Sequence, residues 1–268
     1  MYIDAHAHIL SFEYGENLGK VIESVKNDGE IILVNDVGYD LKSSEESVNL
    51  SNRYGFIFST IGIHPYDADK FDNYALKTLK ELAENKKVIA IGEIGLDYYR
   101  KITDFTLQKK VFEQQLILSK ELGLPFMIHS RDACRDTIEI IKKIGYFNGV
   151  FHSFDYGTEE IEEIIGLGLY VSFSGMLTFK KKEKLREAAK VVPIEKVFME
   201  TDSPFLAPVP MRGKTNMPIY VKYVYKYFAN LKNIDEKELH VKIIENFEKL
   251  FGKSKIYLEN TRRQRQYV

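Results

Sequence analysis

Short apolar runs alternate along this chain with longer segments in which apolar residues recur every three to four positions. Eight runs rich in Ile, Val and Phe predict strands over Tyr2–His8, Ile31–Asn35, Phe56–Ile63, Val88–Ile94, Pro125–His129, Gly149–His152, Leu169–Ser174 and Lys196–Thr201. Their apolar residues are continuous rather than alternating, which suits parallel strands buried on both faces. The segments between them carry helical spacing. Cys134, Thr137, Ile138 and Ile141 form one stripe, and Tyr220, Tyr223, Val224, Tyr227 and Phe228 another. That periodicity predicts core packing for both, with Cys134 a small buried hydrophobe rather than a nucleophile. Eight strand-then-helix units predict a closed (β/α)8 TIM-type barrel, a single domain over residues 1–258, followed by a basic, flexible tail over 259–268. An open doubly wound sheet is the runner-up. Its usual cue is a glycine-rich phosphate turn after the first strand, and here that strand ends in histidines.

Length and composition narrow the picture. A barrel of this kind needs about 250 residues, and the chain has 268. At 44% hydrophobic and 29% charged it is neither a disordered nor a fibrous sequence. No apolar run approaches the roughly 20 residues that cross a bilayer. The opening MYIDAHAH has neither a basic nor an apolar leader segment, and the lone cysteine cannot form an internal disulfide. Both features lead to the expectation of a cytoplasmic protein. A net charge of -1 argues against coating long duplexes by bulk electrostatics, and is compatible with one local basic site.

The polar residues gather where the predicted strands end. The strand ends read Asp4-Ala5-His6-Ala7-His8, Gly62-Ile63-His64-Pro65, Gly92-Glu93-Ile94-Gly95-Leu96-Asp97, His129-Ser130-Arg131, His152-Ser153-Phe154 and Glu200-Thr201-Asp202. In a barrel these ends open onto one face, where active sites form. His6 and His8 are two apart on a strand, so their side chains point the same way. Joined by Glu93, His129, His152 and Asp202, they supply four imidazoles and two carboxylates. That set is enough for two divalent ions sharing one carboxylate, of a kind such as Zn, Mn or, at a carboxylate-rich position, Mg. His240, by contrast, precedes Ile243, Ile244 and Phe247 at helical spacing and reads as a structural helix histidine.

The words DAHAH, GIHP, IGEIGLDYYR, IHSR, FHSF, SGMLTF and METDSPFLAP, with NFEKLFG near the C-terminus, resemble the TatD family of metal-dependent hydrolases, in family order over nearly the whole chain. Two stretches depart from the family pattern: Phe154-Asp155-Tyr156-Gly157, and Asn216-Met217-Pro218 where the family has Asn-Glu-Pro. The resemblance implies a TIM-type barrel with a divalent metal site and phosphodiesterase activity on DNA. It implies His6, His8 and Asp202 on one metal, His129 and His152 on the other, and Glu93 between them. His64 would lie outside the metal shell and contact the substrate phosphate. Asp202 is expected to double as general base.

The expected activity is therefore 3′–5′ exonucleolytic cleavage of single-stranded DNA by metal-activated water, with DNA ends as partner and no obligate protein partner readable. Arg131 and Arg212 are candidates for holding substrate phosphate, with Arg100 and Lys214 as similar loop residues. Asp4 is expected either to orient His6 or His8 or to be an ordinary strand-end polar residue. Lys180-Lys181-Lys182 reads as a solvated helix start. Two alternatives stand beside this reading. One is a metal-dependent amidohydrolase or esterase acting on a small molecule, a type that commonly carries a carboxylated lysine where this chain has Glu93. The other is an inactive barrel scaffold, which is expected to have lost ligands that are all present here.

Overall fold

The structure, a computed structural model, describes residues 1–266. Among the described residues eight parallel strands follow one another round a single sheet in chain order. They are β1 (Tyr2–Ala7), β2 (Ile31–Val37), β3 (Ile57–Ile61), β4 (Val88–Asp97), β5 (Phe126–Arg131), β6 (Gly149–Phe151), β7 (Tyr170–Phe173) and β8 (Val197–Met199). Helices α1 (Leu18–Asp28), α2 (Leu41–Arg53), α3 (Asn73–Ala83), α4 (Phe105–Leu122), α5 (Cys134–Ile144), α6 (Thr158–Gly166) and α7 (Glu183–Val191) fill the gaps between strands. After β8 come α8 (Val221–Lys232), α9 (Glu236–Leu250) and α10 (Lys255–Gln266). The expected TIM-type barrel is the fold.

The ring closes through backbone hydrogen bonds just beyond β8. Asp202 N–H donates to the His6 carbonyl at 2.9 Å, and His8 N–H donates to the Ser203 carbonyl at 2.8 Å. The predicted last strand ran to Thr201, but β8 ends at Met199. Asp202 adopts φ of +53°, a left-handed conformation that ends extended pairing and that Asp tolerates better than most residues.

The strands are buried on both faces, as their unbroken apolar runs require. Every residue of β4 is buried. Helix starts are set by aspartates. Asp40, Asp72 and Asp104 accept the N–H of Ser43, Ala75 and Leu107 at 2.7, 2.8 and 3.0 Å. The α5 stripe is buried as predicted, Cys134 included, and burial pushes its thiol up to about 12, which makes it inert at neutral pH. On α8 the buried face is rotated from the predicted stripe and centres on Val221, Val224, Tyr225 and Phe228. Tyr225 is the residue the stripe left out: its hydroxyl bonds both backbone groups of Ile3. His240 lies on α9 against the rings of Tyr2 and Tyr225, away from the strand ends.

Past residue 258, the expected end of the domain, the chain continues as helix α10 to Gln266. Leu258 is buried, Tyr257 O–H donates to the Ile32 carbonyl, and Arg262 pairs with Glu248 at 2.5 Å. Tyr257 and Leu258 thus anchor the start of α10 within the expected domain, and Arg262 is the residue of the basic stretch that pairs with it. Tyr267 and Val268 lie outside the described residues.

Candidate metal centre

Two irregularities in the sheet aim the key side chains into the mouth. Between Asp4 and Ala7, β1 carries one residue more than its neighbour β2, and His6 lies in that stretch. Between Ile91 and Ile94, β4 does the same against β5, and Glu93 lies there. An extra residue bends the strand and re-aims its side chains, a common device beside active sites. Gly95 then lets β4 return to β5. Its φ is +142°, and a Cβ there would stand 2.0 Å from the His129 carbonyl oxygen, so only glycine fits.

The six expected ligands converge. His6 Nε2 and His8 Nε2 are 3.1 Å apart. Glu93 Oε2 lies 3.6 Å from the first and 3.5 Å from the second, and Asp202 Oδ1 lies 3.7 and 3.5 Å from them. The other oxygen of Glu93, Oε1, faces a second set: His129 Nδ1 at 2.6 Å, His152 Nε2 at 2.8 Å and His64 Nε2 at 3.6 Å. One carboxylate thus presents one oxygen to each group of imidazoles.

The outward nitrogens decide how the imidazoles can act. His8 Nδ1 lies 2.8 Å from the Val37 carbonyl, and His152 Nδ1 lies 3.2 Å from Glu200 Oε1. His129 Nε2 lies 3.0 Å from Asp97 Oδ2, and His6 Nδ1 faces the Met127 sulfur at 3.0 Å. Each outward N–H has an acceptor, so each inward nitrogen can offer its lone pair, the pattern of metal-bound histidine. His64 is wired in the opposite sense. Its Nδ1 accepts the backbone N–H of Tyr66 at 3.1 Å, so in the neutral ring the proton sits on Nε2 and faces the site.

Comparison with known proteins agrees with this geometry. A family model described as "TatD related DNase" matches residues 3–252. The chain belongs to the TatD-related DNase family. "Uncharacterized metal-dependent hydrolase YabD" of Bacillus subtilis (strain 168) is 40% identical over 254 residues, 94% of this chain and 99% of that protein. "Uncharacterized metal-dependent hydrolase YcfH" of Escherichia coli (strain K12) is 35% identical over 262 residues, 93% and 95% of the two chains. The crystal structure of YJJV, a TatD homolog from Escherichia coli K12, superposes with a TM-score of 0.87 at 24% identity, covering 94% of this chain and 98% of that one. This TatD-family chain is a metal-dependent hydrolase.

The donor set fits divalent ions. A tetrahedral ion with bonds of about 2.1 Å needs donors about 3.4 Å apart. His6 Nε2 and His8 Nε2 stand 3.1 Å apart, and each lies 3.5 to 3.7 Å from Glu93 Oε2 and from Asp202 Oδ1. The second set has the same donor chemistry but is drawn closer, its imidazoles hydrogen-bonded directly to Glu93. Protons hold the carboxylates there. Burial opposes ionisation of Glu93, but the His152 charge and the hydrogen bonds of His152 and His129 outweigh it and hold the carboxyl well below its usual range. Burial likewise opposes charge on His8, yet the Asp202 hydrogen bond and the Glu93 charge lift it to about 9. His152 is raised well above its usual value, against burial, by Glu93 and Glu200. His64 goes the other way, down to about 3, through burial and the neighbouring His129.

Other residues take up different positions. Asp4 touches neither imidazole ring; it accepts the N–H and O–H of Thr201 at 2.8 and 2.6 Å and so braces the barrel seam. Arg131 is exposed at the mouth with its guanidinium 3.9 Å over the Tyr99 ring. Arg212 stacks 3.8 Å over Phe179, on the rim beyond β7 and β8. Asp97 and Glu200, which hold His129 and His152, lie within the strand-end words but carried no assignment in the sequence. Glu200 in turn accepts the hydroxyl of Ser172. No helix among the described residues is long and apolar enough to cross a membrane.

Proposed function

We propose that this TatD-family hydrolase cleaves phosphodiester bonds of single-stranded DNA from the 3′ end, with two divalent ions shared through Glu93. The observation that carries this reading is Glu93 itself, one oxygen toward His6 and His8 and the other toward His129 and His152. His6, His8 and Asp202 would hold one ion, and His129 and His152 the other. Such ions supply Lewis acidity to a phosphate oxygen and make a nearby water a nucleophile at neutral pH.

The chain's own groups do the rest. Asp202 is held ionised, against burial, by the His8 hydrogen bond and the charges of His152 and His6, and its side chain keeps 15% exposure at the mouth. It is placed to take the proton of the attacking water. His64 Nε2–H donates to a non-bridging phosphate oxygen as negative charge grows there. The water oxygen bonds phosphorus, the ester P–O bond breaks, and the leaving sugar oxygen is protonated from solvent. Arg131, steadied on Tyr99, holds the adjoining phosphate at the rim, and Arg212 does so further out. The intracellular setting expected from the single cysteine suits a nucleic-acid substrate.

The deciding experiment is release of nucleotides from 3′- and 5′-labelled single strands with Mn²⁺ or Mg²⁺, beside a panel of amide, lactone and carboxyl-ester substrates. Chelator-sensitive mononucleotide release from the 3′ end is expected, and Glu93→Ala or Asp202→Ala should abolish it with the fold intact. Turnover confined to amides or lactones would overturn the nuclease assignment.

A further inference from the structure

Beyond the metal centre, the rim after β7 and β8 carries an open groove of about 400 Å³ lined by Phe179, Lys180, Lys181, Lys182, Val209 and Arg212. Its charges are unbalanced. Lys182 pairs with Asp155, but Lys180, Lys181 and Arg212 have no carboxylate partner among the described residues. The lysines stand immediately before α7, where the helix dipole disfavours cations. In a chain of net charge -1, this is a local concentration of positive charge that folding does not explain. The backbone beneath it is fixed: Arg186 donates to the carbonyls of Phe179 and Lys180 at 2.7 and 3.1 Å.

Two of the groove's lining residues, Val209 and Arg212, belong to the loop that begins at Asp202 of the metal centre. The loop that begins at Asp202 lies against the turn after β7, where Val209 N–H donates to Thr178 Oγ1 at 2.9 Å. The loop can approach that closely because Gly175 lacks a Cβ, which would stand 1.9 Å from the Leu206 carbonyl oxygen. On that same loop, three residues after Asp202, stands Phe205, 46% exposed, with its ring centroid 6.4 Å from that of His8. An exposed aromatic followed by unpaired cations is the arrangement that binds single strands, bases on the ring and phosphates on the charges.

We infer that this groove is a track for the phosphate backbone of the single-stranded substrate, engaging it beyond the nucleotide being cut, with Phe205 as the stacking step between. The inference rests on the proposed nuclease reading, and its test separates the two. Binding of fluorescein-labelled dT20 to the full chain in EDTA is followed by anisotropy across a KCl series. Lys180→Gln/Lys181→Gln should flatten the slope of log K against log salt by about 1.4, two phosphate contacts at about 0.7 each. Phe205→Ala should weaken binding about tenfold with the slope unchanged. With Mn²⁺, the double variant should cut a 20-mer about tenfold less efficiently and hydrolyse bis(p-nitrophenyl) phosphate at the normal rate. An unchanged slope in the double variant, or no salt-dependent binding of dT20 by the wild-type chain, overturns the track. The expected slopes without cleavage of either substrate leave the track standing and overturn the nuclease reading instead.

Discussion

His64 accepts the backbone N–H of Tyr66 at Nδ1, 3.1 Å away, and so turns a donor rather than a lone pair toward Glu93. The five imidazoles at the mouth thereby divide into four that can ligate and one that can donate. His64→Ala should lower kcat on a phosphodiester by about 10²- to 10³-fold, the cost of losing one oriented donor. Metal content by elemental analysis should stay at the wild-type value. His129→Ala should do the reverse, losing metal first. Loss of metal in the His64 variant would place that ring among the ligands.

The carboxylates behind the imidazoles should matter for metal binding nearly as much as the imidazoles themselves. Asp97 accepts from His129 and from the Tyr66 hydroxyl, and Glu200 accepts from His152 and Ser172. Asp97→Asn or Glu200→Gln should weaken metal affinity by about 10- to 100-fold through the freed imidazole. Competition with a chromogenic chelator measures this directly. Wild-type affinity in both variants would remove them from the site.

Metal uptake should displace protons. His8 is lifted to about 9 and His152 well above its usual value, so at pH 7 both carry the proton that an ion must replace. Affinity should therefore rise with pH through neutrality and fall as acid restores those protons. Titration calorimetry in buffers of different ionisation enthalpy should show at least one proton released per ion bound at pH 7. Uptake with no buffer dependence would contradict the protonation pattern.

Gly95 offers a test of how the fold supports the site. Alanine there must adopt a φ that side chains avoid and place its Cβ against the His129 carbonyl. Gly95→Ala should cost about 3 kcal/mol, combining backbone strain and overpacking. Chemical denaturation of the metal-free chain measures it. A neutral substitution would mean that β4 and β5 separate here at little cost.

The barrel and the convergence of His6, His8, Glu93, His129, His152 and Asp202 were legible in the sequence, because continuous apolar runs ending in polar residues have few other solutions. Asp97 and Glu200 were not. An acid at a strand end reads the same whether it holds a metal or holds the histidine that does, and the extra residue in β4 that settles the difference has no local signature. Of the two readings open for Asp4, the strand-end polar residue is the one that fits, and the sequence could not choose because its partner Thr201 lies far along the chain and meets it only at the closed seam. The pairing of Arg262 with Glu248 of α9 is a tertiary contact that the basic composition of residues 259–268 does not signal.

The seam of the cylinder lies between His6 and Asp202, whose main chains are joined by a single N–H to carbonyl bond. The same two residues bring their side chains together in the first donor set, 3.7 Å apart. During synthesis on the ribosome, the centre thus stays incomplete until the eighth strand has emerged and met the first. A chain truncated before that point lacks one of the donors gathered at the mouth, so the full cluster assembles only when the barrel closes.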